Sequence, residues 1–212
     1  MKVGILGSGV VAKALGNGFL SSGHEVMLAS RDGSKVKGWS EHAKATSGTF
    51  AEAAAYGDVV VLAVKGTVAV DAVKLTGEKA LAGKTVIDAS NPIADAPPTN
   101  GILTFFTGPN DSLMERLQSA APDANFVKAF SCVGNAFMYR PNFPGGPPTM
   151  FICGNNDGAK AVVRDILKEF GWDAEDIGKV EGARAIEPLC QLWCAPGLQR
   201  GQWTHAFKLL KL

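Results

Sequence analysis

The sequence predicts an α/β protein built on a doubly wound parallel sheet, with a short C-terminal helical tail. Three observations carry this prediction. Strand-like apolar runs alternate with helical patterns through residues 3–180. The strand-like runs are continuous instead of alternating, as in a sheet covered on both faces. A glycine-rich turn joins the first strand to the first helix.

Taken in order, Val3–Leu6 reads as a buried strand, Val10–Leu20 as a helix and Glu25–Ala29 as a second strand, with Ser22 and Gly23 making the turn. These three form one βαβ unit. Val36–Thr46 has helical character, Ala51–Tyr56 reads as a short helix, and Asp58–Val64 is the most strand-like segment. A helix is expected over Thr67–Leu75, then a strand over Thr85–Asp88 that ends at Ser90, Asn91 and Pro92. Residues 93–110, with Pro97, Pro98, Gly101, Gly108 and Pro109, form a long excursion of the kind that is usually functional or mobile. A helix over Ser112–Ala121 leads to a strand over Asn125–Phe130, and Pro141–Pro148 is a second excursion. Thr149–Cys153 and Trp172–Ile177 read as strands. Between them Ala159–Phe170 is an amphipathic helix with Val162, Val163, Ile166, Leu167 and Phe170 on one side. Ile186–Trp193 and Gln202–Leu210 supply terminal helical segments. Residues 1–180 thus form the sheet domain, and 181–212 a helical segment that packs on it or on a partner subunit.

Composition narrows the function. Of 212 residues 46% are hydrophobic and 19% charged, an ordinary globular balance. Lys plus Arg (21) nearly cancels Asp plus Glu (20), so there is no broad field to attract nucleic acid or an anionic membrane. The longest apolar run, Val59–Val64, falls far short of the roughly 20 residues of a membrane-spanning helix. Glycines and Lys13 interrupt the first twenty residues and argue against a secretory leader. The four cysteines contain no CxxC pair, which points to a reducing cytoplasm. Cys190 and Cys194, one helical turn apart with no further ligand nearby, read as buried small side chains rather than a metal site.

Gly7-Ser8-Gly9-Val10-Val11-Ala12 spells GxGxxA between a strand and a helix. The first glycine makes a tight turn, the second lets a pyrophosphate approach the backbone, and a small third residue lets helix pack on strand. Free N–H groups and the positive end of the helix dipole then face the phosphates. At the tip of the second strand stand Ser30 and Arg31, with no acid, followed by Lys35 and Lys37. A carboxylate there would bond a ribose 2′-hydroxyl, whereas a guanidinium pairs with a 2′-phosphate, so the cofactor expected is NADP. Ligands of open α/β sheets lie over the carboxyl ends of the strands. Ala63, Val64 and Lys65, then Ser90, Asn91 and Pro92, then Ala129 are therefore the next candidates, with Ser8, Val10 and Val11 completing the turn.

The strings VGILGSGVVAKALG, the Ser30–Arg31 pair, DASNP at Asp88–Pro92, VKAF at Val127–Phe130 and FICG at Phe151–Gly154 together resemble the coenzyme F420-dependent NADP oxidoreductase family. The same pattern is found in the cytosolic reductase domain of the STEAP metalloreductases. The resemblance runs from residue 1 to about 180. It implies that Gly7, Gly9, Ser30, Arg31, Asn91 and Pro92 hold NADP, and that hydride passes between NADP(H) and a deazaflavin or flavin. At Ser131 the chain departs from the archaeal F420 enzymes, which carry a histidine after the Ala-Phe step. That leaves F420, another flavin, a quinone or a small carbonyl compound open as the second substrate.

Hydride transfer between stacked heteroaromatic rings asks the protein mainly to align them. The sparse histidines agree: His24 lies in the helix-to-strand turn, His42 on a surface helix, and only His205 falls where the tail can approach the site. No catalytic acid or base is assigned. Two rivals stand beside this reading. One is a non-enzymatic NADP(H) sensor, since such a fold establishes binding and not turnover. The other is a pyrroline-5-carboxylate reductase, suggested by Leu62–Lys65, although the residues after 180 are too few for its helical dimerisation domain. The tail, with Trp193, Trp203, Phe207, Leu209, Leu210 and Leu212, is rich enough in large apolar groups to serve as a homodimer interface.

Overall fold

The computed structural model describes residues 1–77 and 79–212. Its chain order is β1 (Lys2–Leu6), α1 (Val10–Ser21), β2 (Glu25–Ser30), β3 (Ala45–Thr49), α2 (Phe50–Tyr56), β4 (Val59–Leu62), α3 (Ala69–Lys74), β5 (Thr85–Asp88), α4 (Leu113–Ala120) and β6 (Asn125–Lys128). Then come β7 (Thr149–Ile152), α5 (Asp157–Glu169), β8 (Asp173–Asp176), α6 (Ala183–Ile186) and α7 (Pro188–Arg200). The main sheet is wholly parallel, with order β3-β2-β1-β4-β5-β6. The order reverses direction between β1 and β4, and that reversal opens a crevice at their carboxyl ends.

Side-chain parity explains the continuous apolar strands. Val59 and Val61 point into one layer with Val3, Ile5, Ile87 and Val127, under α1 and α5. Val60 and Leu62 point into the other with Leu6, Val86 and Phe126, under α2, α3 and α4. Phe19 of α1 is fully buried, its ring 4.8 Å from that of Phe170. Burial of such a ring is worth roughly 2–3 kcal/mol.

Three expectations are corrected. Val36–Thr46 is not helical: after a single turn at Ser34–Val36 the chain runs to β3, an edge strand paired with β2. The Trp39 indole donates to the Thr46 carbonyl at 2.7 Å, so this loop is tied to the sheet edge instead of winding on itself. β7 and β8 do not extend the main sheet but form a parallel pair of their own, joined to β6 by one bridge between Lys128 and Cys153.

Gln202–Leu210 is not helical either. α7 stops at Gly201, and the tail spends its backbone groups on distant partners. Trp193 Nε1 donates to the His205 carbonyl (2.8 Å), His205 Nε2 to the Trp193 carbonyl (3.0 Å), and Thr149 N–H to the Phe207 carbonyl (2.8 Å). Lys208 and Lys211 then pair with Asp173 and Glu175 of β8. The segment is a strap that closes over the chain's own β7–β8 pair. Among the described residues no helix is long and apolar enough to cross a membrane.

Candidate cofactor site

The turn after β1 is shaped by backbone contact. Gly7 has φ +152°, and a Cβ on it would sit 2.2 Å from the Ala63 carbonyl oxygen, so β1 and β4 can come this close only at a glycine. Its N–H donates to the Ala29 carbonyl at 3.0 Å, which fixes the turn to β2. Gly9 is the N-cap of α1, no side chain caps it, and a Cβ there would meet nothing within 4 Å. The first turn of α1 therefore presents unpaired N–H groups to open space. Ala12 is fully buried against the strands.

Two chambers meet over this turn. One, of about 820 Å³, is lined by Gly7, Ser8, Gly9, Ser30, Arg31, Lys35, Ala63, Val64 and Lys65, together with Asp32, Phe50 and Leu75. The other, of about 700 Å³, is lined by Gly9, Val10, Val11, Ala63, Val64, Lys65 and Asn91, together with Gly66, Ala89, Ser90 and the Ile93–Pro97 segment. Gly9, Ala63, Val64 and Lys65 belong to both. The result is an elongated groove with its seam at the helix terminus.

At the first chamber's lip Arg31 is exposed and makes no hydrogen bond or ion pair among the described residues. Of the two acids that line this chamber, Asp71 lies 3.9 Å from Lys74 and Asp32 is committed to Ser34. Asp32 accepts from the Ser34 hydroxyl (2.8 Å) and N–H (3.0 Å), bonds that hold its carboxyl below the usual range. Glu52 accepts from the Thr49 N–H at 2.7 Å in the capping box of α2 and is lowered by it. The guanidinium is thus left open to an incoming anion, with Ser30 and Lys35 lining the same chamber. Lys65 pairs with Asp95 at 3.4 Å across the seam, but both are mostly exposed and such a pair holds weakly.

The second chamber is floored by the turns after β5 and β6. Asn91 Nδ2 donates to the Ser131 carbonyl at 2.8 Å. Its Oδ1 and the Ser131 Oγ are buried with no partner among the described residues. An orphaned acceptor costs free energy unless a donor completes it, and the carboxamide of a nicotinamide is such a donor. The residues present therefore fit a dinucleotide: amides at the bend, a free cation at one end and an unsatisfied amide oxygen at the other.

Not every predicted residue lines the groove. Pro92 is buried beneath it, its carbonyl accepting from Phe106 N–H at 2.9 Å. Ala129 is fully enclosed in the core. His205 is stacked on Trp193 at 5.1 Å and bonded to it, away from both chambers. Sequence reasoning missed Gly66, whose Cβ would lie 1.9 Å from the Asn91 carbonyl oxygen. A glycine immediately after the expected Ala63–Lys65 rim was the available signal. It also missed Lys128, which is fully buried between Asp88 (2.6 Å) and Glu187 (2.9 Å). Burial pushes the Lys128 pKa down, but the two carboxylates outweigh it and hold the ammonium charged.

Comparison with known proteins follows the same lines. Residues 2–92 match the family described as NADP oxidoreductase, coenzyme F420-dependent. Over all of both chains the fold is similar, at TM-score 0.92 and 30% identity, to the crystal structure of a candidate F420-dependent NADP-reductase from Arthrobacter sp. FB24. The rat metalloreductase STEAP3 is 29% identical over 189 residues, 89% of this chain and 36% of that protein. The chain therefore spans about a third of the length of the curated relatives it matches. A reductive aminase from Aspergillus terreus solved with NADPH4 shares the fold at TM-score 0.67 and 19% identity, over 94% of this chain and 62% of that one. On the matching N-terminal segment and the full-length likeness to the Arthrobacter protein, the chain belongs to the coenzyme F420-dependent NADP oxidoreductase family.

Proposed function

We propose that the chain exchanges hydride between NADP(H), held along the groove, and a deazaflavin or flavin that enters the second chamber. When bound, NADP(H) supplies or takes the hydride. The residues of the chain do the rest. The N–H groups at Gly9–Val11 take the diphosphate, Arg31, Ser30 and Lys35 take the 2′-phosphate, and Asn91 Oδ1 accepts from the carboxamide. Val10, Val11, Ala89 and Ile93 offer apolar surface against which flat rings stack and water is kept out. Among the described residues the chamber brings no histidine, and its only charged side chains are Lys65 and Asp95. That suits a transfer between conjugated rings better than the reduction of an imine or carbonyl, which wants a placed proton donor.

The observation that supports NADP over NAD is the unpaired Arg31 guanidinium at the lip of the larger chamber. Stopped turnover assays test the reaction: NADPH oxidation with F420, FMN and FAD, each tested alone. Turnover with one of them supports the reading, whereas tight NADPH binding with no turnover on any acceptor replaces it with an NADP(H)-binding sensor. Self-association is a further part of the proposal. Leu192, Leu198 and Leu210 are exposed along α7 and the strap, and sedimentation of the chain with and without residues 199–212 tests a homodimer through them.

A further inference from the structure

We propose that Glu187 is a positioning residue for the nicotinamide end of the groove, acting through Lys128 on the Ser90–Asn91 turn. The inference rests on the dinucleotide reading above and adds to it a residue from the C-terminal helical segment that touches no cofactor.

Glu187 lies at the junction of α6 and α7 and is 2% exposed. One carboxylate oxygen accepts from Leu113 N–H at 3.0 Å and the other from Met114 N–H at 3.1 Å, the first amides of α4. Lys128 Nζ lies 2.9 Å from the same carboxylate, 2.6 Å from Asp88 and 3.0 Å from the Ser90 carbonyl oxygen. The Ser90 carbonyl accepts a hydrogen bond from the ammonium, while Asp88 and Glu187 hold it as ion pairs. Asp88 in turn accepts from the Ser90 N–H at 2.9 Å and the Ser90 hydroxyl at 2.5 Å. Both sides of Ser90 are therefore held by charged groups excluded from water.

The Ser90 carbonyl belongs to the peptide plane that leads into Asn91. Fixing that oxygen fixes the tilt of the plane and so the origin of the Asn91 side chain. From there Nδ2 is committed to Ser131, the backbone carbonyl lies against Gly66, and Oδ1 is left without a partner among the described residues. Stability alone does not call for such a cluster, since buried ion groups can often be replaced by apolar side chains without loss. A fixed direction for one carbonyl does call for it. Glu187 contributes the second negative charge, and the amides of α4 take up the surplus that Lys128 does not neutralise. Without that charge Lys128 is drawn toward Asp88 alone, and the Ser90–Asn91 plane loses its setting.

The test is calorimetric titration of wild type and Glu187→Gln with two probes: NADPH, and adenosine 2′,5′-bisphosphate, which carries the phosphate-bearing end but no nicotinamide. Glutamine keeps the volume and one oxygen for the α4 amides. We expect NADPH to bind about five- to tenfold more weakly to the variant, with the bisphosphate changed by less than about twofold. Equal affinities for NADPH in variant and wild type would overturn the proposal, and so would parallel losses for both probes, which mark general loosening. Should Glu187→Gln not fold, Lys128→Met/Glu187→Leu makes this part of the cluster apolar and is read the same way. Full NADPH affinity in that folded double variant overturns the proposal. Wild-type protein that binds neither probe removes the dinucleotide reading itself, and this inference with it.

Discussion

The Gly7 backbone and the Ala63 carbonyl are in such close contact that a methyl group on Gly7 would lie 2.2 Å from the oxygen, while one on Gly9, two residues on, would touch nothing. Two glycines of one motif therefore have different reasons to be glycine. The first is required by the fold, and the second leaves open the approach that the proposed diphosphate needs.

Gly7→Ala should accordingly destabilise the protein by several kcal/mol, on the order of 3, because both φ and the contact are violated. Gly9→Ala should leave the melting temperature within a degree or two and weaken NADPH about tenfold or more by blocking the approach of the diphosphate. Thermal melts paired with NADPH titrations separate the two. A Gly9→Ala protein with wild-type affinity would mean that the bend does not carry the diphosphate.

Arg31→Glu should weaken NADPH by roughly 2 kcal/mol, about thirtyfold, while NADH changes little. The guanidinium has no protein partner to lose among the described residues, so folding should be unaffected. Fluorescence titration with both nucleotides reads the ratio, and equal losses would remove the 2′-phosphate assignment.

Acid stability should depend on Asp176 at the end of β8. Partial burial pushes its carboxyl up, but Lys160 (2.9 Å), the Gly178 N–H (2.9 Å) and Arg164 (3.2 Å) outweigh it and hold it below the usual carboxylate range. A lowered folded value means the stabilisation is present above the unfolded pKa of about 3.9 and lost as pH falls through the folded one. Asp176→Asn should cost about 1 kcal/mol near pH 7, and the gap to wild type should close below about pH 4. Urea denaturation at stepped pH measures it; a gap that widens in acid would contradict the sign.

The cysteines should differ sharply in reactivity. Burial pushes the Cys132 and Cys153 thiols up to about 12, and Cys190 is raised as well, by Cys194 and by burial. Cys194 is only half-buried, and its hydrogen bond with Cys190 lowers it. Iodoacetamide at neutral pH, followed by peptide mass spectrometry, should label Cys194 well ahead of the other three, since the thiolate is the reacting form.

Much of this was readable from residue order because local and global preferences agree in the first half of the chain. β1, α1 and β2 fall where the apolar runs and the glycine turn put them, and β5 coincides with the expected Thr85–Asp88. β3 escaped notice because Ala45-Thr46-Ser47-Gly48-Thr49 is a short polar edge strand, so it has no apolar run to announce it. The strap escaped for the opposite reason: its large side chains read as a helix face, but Trp193 and Thr149 supply the partners that decide its course. The groove's rim was legible because glycine, arginine and asparagine sit at strand ends. Lys128 was not, because its partners Asp88 and Glu187 are brought together only by the fold.

The shared border of the two chambers has a practical corollary. Since Gly9, Ala63, Val64 and Lys65 form part of both walls, a compound threading past them can fill both spaces at once. On the proposed placement of the cofactor, tethering a phosphoadenosine to a flat aromatic head would make the second contact intramolecular, and the gain is set by effective concentration. Linker length is then a ruler: the tightest binder in a graded series reports how far the two compartments lie apart.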